Sequence, residues 1–111
     1  MAETIKLNPL QTRTLALLQE LAQDSDVSMP VPDGGIAIMQ MPHAHGNHMH
    51  IGRATVSARD ASGLSNKAVW QVLERRGFIR DSDFPHRLIL TELGAAYHTG
   101  LAEKLLAASD H

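Results

Sequence analysis

Leu10, Leu17, Leu18 and Leu21 recur on one helical face, and Leu15 and Ala22 widen it, so the spacing predicts a buried helix ending near residues 23–25. Asn8, Pro9 and Gln11 provide its start. They supply an amide N-cap, a proline where no N–H is needed, and a glutamine placed to return a hydrogen bond to the cap. The prolines, glycines and aspartates of DSDVSMPVPDGG make residues 24–35 a loop. IAIMQM and HMHIGRATV then read as the two strands of a hairpin turned at Gly46 and Asn47, a pair suited to a type II′ turn. For ATVSARDAS, residues 54–62, a short helix before Gly63 is the favoured reading, and continuation of the hairpin to about Ser57 is the alternative.

Beyond Gly63 the periodicity changes again. Ser65 is an N-cap candidate, and Val69, Val72 and Leu73 form one apolar face, with Lys67, Gln71, Glu74 and Arg75 on the opposite arc. Gly77 suits the C′ position, where a residue tolerating positive φ ends a helix at low cost, and Phe78 and Ile79 restart the chain as a strand. RDSDFPH carries turn formers, RLIL is β-prone, and Thr91 caps a new helix. Leu93, Tyr97, Leu101 and Leu105 step by four, which predicts an amphipathic helix over residues 92–107. The order is helix, strand, wing, strand, helix.

The run LERRGFIR, followed by DSDFPHR and LILTELG, resembles the C-terminal half of winged helix-turn-helix repressors of the MarR type. Those have a Leu-Glu-x-x-Gly helix end, an Asp and an Arg in the wing, and a Leu-Thr-x-x-Gly start to the last helix. Gly63, with Val69 and Val72 six and nine positions on, fits the same helix-turn-helix pattern. What the resemblance implies is an α+β winged-helix domain over residues 1–111, a bacterial transcriptional regulator, with helix 65–76 as its recognition helix.

On that expectation the residues divide by chemistry. Asn66, Lys67 and Gln71 suit base edges, Arg75, Arg80 and Arg87 suit phosphates, and Ser65 and His86 complete the DNA-facing set. A homodimer through the last helix is expected, since DNA readers of this size often match palindromic half-sites.

A length of 111 residues suits one domain. Hydrophobic content is 43% but aromatic content only 4%, so the core is expected to be built from Leu, Ile, Val, Ala and Met, with Trp70 as a buried flank of the recognition helix. The absence of cysteine excludes disulfides, thiol catalysis and cysteine zinc sites. No run is apolar enough to span a bilayer and no leader pattern is present, so a cytoplasmic protein is expected. The net charge of -2 is unevenly spread: residues 53–87 hold seven cations against four carboxylates, a balance of +3, leaving -5 for the rest. A basic segment coincides with the expected recognition helix and wing.

The hairpin register pairs His45 with His48 and His43 with His50, which puts four imidazoles on one strand face. Zinc, nickel or copper would suit such a set, with Met39, Met41 and Met49 as nearby soft donors. An exposed, functionless hairpin tip is the plainer reading. There is no GxSxG elbow, phosphate loop or HExxH, and Asp81 and Asp83 lie in a turn, so no enzyme is expected. The modest net charge favours a competing reading, a winged-helix module that binds protein as a toxin–antitoxin or phage-type accessory factor. A metal-responsive regulator using the histidine hairpin is a further alternative.

Overall fold

Helix α1, Pro9–Leu21, begins as its cap requires: Asn8 Oδ1 accepts from the Gln11 amide at 2.8 Å, and Gln11 Oε1 accepts from the Asn8 amide at 2.9 Å. A computed structural model describes residues 7–51 and 54–101, with Ala44, His45 and Ala54 by backbone alone. Leu15, Leu17, Leu18 and Leu21 of α1 are buried. The helix stops at Leu21, short of the expected end, because Gln23 and Asp24 turn back to donate to Glu20 and Leu21 carbonyls.

Among the described residues, seven strands form two antiparallel sheets. β1 (Ser28–Pro30), β2 (Ile36–Ile38), β6 (Ile79–Asp83) and β7 (Arg87–Leu90) make the first, in the order β1-β2-β7-β6. β3 (Ala44–His45), β4 (His48–Ile51) and β5 (Ala54–Ser57) make the second.

This corrects the expected single hairpin. IAI pairs with RLIL and not with HMHI: Ile36 faces Leu90 and Ile38 faces Leu88. That pairing sets buried Ile38 beside buried Leu88, whereas His48 and His50 of β4 are exposed and offer β2 no apolar surface. β1 lies inside the stretch expected to be loop. The sharp turn of β3 into β4 does form at Gly46, whose φ is 67°, and no other residue type among those described has positive φ, as a type II′ turn requires.

Residues 54–57 continue the hairpin as β5, so the favoured short helix over 54–62 is not formed; a 3-10 helix, Ser62–Ser65, follows. α2 spans Lys67–Arg75. Its N-cap is Asn66, whose Oδ1 accepts from the Ala68 and Val69 amides at 3.0 and 3.4 Å, while Ser65 Oγ donates to the Ser62 carbonyl. Its buried face is Val69, Trp70 and Leu73, with Val72 half-buried. Trp70 displaces Val72 from the core because its indole N–H reaches the Leu64 carbonyl at 3.0 Å and so enters without an orphaned donor.

Gly77, with φ 81°, ends α2 as expected. The Phe78 amide donates to the Leu73 carbonyl at 2.9 Å and the Gly77 amide to Glu74 at 2.9 Å, both bonds of a Schellman motif. α3 covers only Glu92–Ala96. The expected helix over 92–107 therefore breaks at Tyr97, since Gln19 Nε2 donates to the Gly94 and Tyr97 carbonyls at 2.9 and 2.7 Å and Tyr97 stacks on Phe78 at 4.7 Å. Residues 102–107, and with them Leu105 of the expected dimer face, lie outside the described residues. No helix among the described residues is long and apolar enough to cross a membrane.

Candidate functional site

With Val69, Trp70 and Leu73 held against the core, α2 turns Lys67, Gln71, Glu74 and Arg75 to solvent. Its position is fixed at both ends. At the start, Phe84 of the β6–β7 turn meets Trp70 edge-on at 4.7 Å, and the Lys67 ammonium lies 5.7 Å from the Phe84 ring centre. At the end, Thr91 Oγ1 donates to the Gly77 carbonyl at 2.6 Å and accepts from the Gly94 amide at 3.0 Å, so one hydroxyl joins the stop of α2 to the start of α3. Glu74 accepts from the Asp81 amide at 3.1 Å and ties the helix to β6.

The eight residues expected to face DNA are not equivalent. Lys67, Gln71 and Arg75 are exposed, and the side chains of Gln71 and Arg75 make no hydrogen bond or ion pair with the described residues. Asn66 is committed to its cap, and Ser65 to Ser62. Arg80 pairs with Asp33 at 2.7 Å and Arg87 with Asp83 at 3.2 Å, so both arginines of the β6–β7 hairpin already hold a carboxylate. The Asp33 carboxyl is held below its ordinary value of 3.8, first by the Gly35 amide and next by the Arg80 guanidinium. His86 is exposed at the β6–β7 turn.

The histidines divide as well. Along β4, Met49 and Ile51 turn inward while His48 and His50 are exposed, their rings perpendicular with centres 5.2 Å apart. Thr55 Oγ1 lies 3.3 Å from His50 Nδ1. His45 faces His48 in the ladder as read, but β3 begins at Ala44, so the His43–His50 pair is not part of it. The His45 side chain is outside what is described. Among the described residues no group of three or more His, Asp or Glu gathers as a metal site.

His43 instead lines a cleft of about 560 Å³ between the second sheet, the 3-10 helix and the β6–β7 turn. Met39, Met41, Met49 and His86 line it too. Its signal in the sequence is the alternation Met39, Met41, His43, in which the methionines were expected only as soft donors beside the four-histidine face. Comparison of the chain with protein-family models, with curated proteins and with solved structures finds no match.

Proposed function

We propose that the chain is a winged helix-turn-helix reader of duplex DNA, in which α2 enters the major groove and the β6–β7 hairpin is the wing beside it. The observation that carries this reading is the disposition of α2. Its apolar side is anchored by Trp70, and Lys67, Gln71 and Arg75 project from the other side on successive turns. An α-helix is about 10–12 Å across with its side chains, a size that a groove about 12 Å wide admits. Glutamine presents the donor and acceptor that adenine matches, and lysine the cation that suits the guanine edge.

The ion pairs of Arg80 and Arg87 weaken the positive field of the wing without opposing the reading. Exposed pairs of this kind contribute little to stability, so exchanging a carboxylate for a phosphate costs little. Specificity is assigned to α2, where the free polar groups are, and orientation to the wing.

The test is selection from a random duplex library with purified protein, followed by titration of selected and scrambled duplexes over a range of salt. An enriched sequence and an affinity that falls with salt are expected. Absence of binding to every duplex at low salt would reject the reading in favour of a protein-interaction module.

A further inference from the structure

We propose that the cleft between the second sheet and the wing turn is a binding site for a soft monovalent metal ion, Cu(I) or its analogue Ag(I), held by thioethers of Met39, Met41 and Met49 with imidazole from His43 or His86. Three of the five methionines in the chain line this one cleft, together with two histidines, and among the described residues the lining contains no Asp, Glu or Lys. Hard cations need oxygen donors, which carboxylates would supply, whereas thioether sulfur selects Cu(I). The donor set thus points to a soft ion and away from calcium or magnesium. With no cysteine in the chain, thioether is the softest donor it has.

The backbone explains how the donors meet. After β2 the chain remains outside any helix through residues 39–43, and Met39, Met41 and His43, at alternate positions, all border the cleft. Met49 comes from the inward face of β4, opposite His48 and His50. His86 arrives from the β6–β7 turn. Met39 is 46% exposed, a poor position for a residue serving only the core, while Met41 and Met49 rest partly on it. Neither His43 nor His86 has a side-chain partner among the described residues. Flexible thioethers around an open cleft whose described lining holds no carboxylate can close on an ion without rearranging the fold.

This inference does not rest on DNA binding, and its test uses the protein alone. With methionine methyl groups labelled, silver nitrate in chloride-free buffer should shift the signals of Met39, Met41 and Met49 in proportion up to a single ion per chain. Met29, exposed on β1 and not part of the cleft lining, is a diagonal neighbour of Met39 across β1 and β2 and should shift less than these three. In anaerobic competition with bicinchoninate, Cu(I) affinity should fall by at least about tenfold in Met39→Leu/Met41→Leu/Met49→Leu, a volume-conserving change. Zinc binding, if measurable, should be the same in both proteins. Equal shifts at Met29, no saturable shift at Met39, Met41 and Met49, or undiminished Cu(I) affinity in the triple variant would each overturn the proposal. The labelling arm needs no variant, so a triple variant that failed to fold would leave the test intact.

Discussion

Thr14 Oγ1 occupies the space that a β-carbon on Gly63 would need. The hydroxyl is pinned there by donating to the Leu10 carbonyl at 2.8 Å, and Thr14 is fully buried, so neither partner has room to withdraw. Glycine at this position lets the 3-10 helix before α2 lie against α1. Gly63→Ala should therefore destabilise the fold by about 1–3 kcal/mol, the usual cost of overpacking. Thr14→Ala removes the obstructing oxygen, so the double variant should be more stable than the sum of the single effects by roughly 0.5–3 kcal/mol. Urea denaturation of the four proteins measures this; strict additivity would exclude the close approach.

The pair formed by Asp33 and Arg80 joins the β1–β2 turn to β6 and predicts an acid dependence. Because the folded carboxyl titrates below its ordinary value of 3.8, its contribution is fully present above that value and is lost as pH falls through the lower, folded one. A carbon-detected NMR titration should place the Asp33 midpoint below 3.8. Arg80→Ala should raise the midpoint only part of the way back, since the Gly35 amide, the larger cause, still donates to Asp33 Oδ1 at 3.1 Å. A midpoint restored completely by Arg80→Ala would reverse that ranking.

Trp70 is the only tryptophan, so its emission reports directly on the contact with Phe84. Phe84 is half-buried, and Phe84→Ala should cost about 1–3 kcal/mol, less than the 3–5 kcal/mol typical of a fully enclosed phenylalanine. The emission should shift to longer wavelength as water reaches the indole edge, and the urea midpoint should fall. Unchanged emission and midpoint together would mean that the wing turn does not rest on α2.

What could be read from the sequence was local. The Asn8–Gln11 box, the Gly77 stop and the Thr91 cap each depend on residues within a few positions, where stereochemistry leaves few choices. The pairing of β2 with β7 was not legible, because IAI suits either partner and the decision is made by burial of Ile38 with Leu88, distant in the chain. The end of α3 was hidden for a similar reason: the apolar step of four continues past Tyr97, but Gln19, from α1, caps the carbonyls that a longer helix would use. At the site, Lys67, Gln71 and Arg75 emerged from helical periodicity alone. The Ser65 cap failed because two good cap residues are adjacent, and Trp70, by binding Leu64, favours the register that uses Asn66. The Asp33 partner of Arg80 is a tertiary contact and left no trace in the chain.

On the proposed DNA reading, substitutions on α2 and in the wing should separate into distinct classes. Lys67→Ala and Gln71→Ala remove exposed side chains and should leave the fold unaltered. Each should reduce discrimination between selected and scrambled duplexes by roughly 1–3 kcal/mol, the worth of a good base-edge contact. Arg75→Ala should weaken both duplexes about equally and lower the salt slope by about one unit, as loss of a phosphate contact does. Arg80→Ala and Arg87→Ala should act in the same direction but more weakly, since each arginine must first leave a carboxylate. Titrations of the five variants at several salt concentrations check the order. A specificity loss from Arg80→Ala larger than that from Gln71→Ala would transfer base reading from α2 to the wing, and no effect from any of the five would remove this face from the interface.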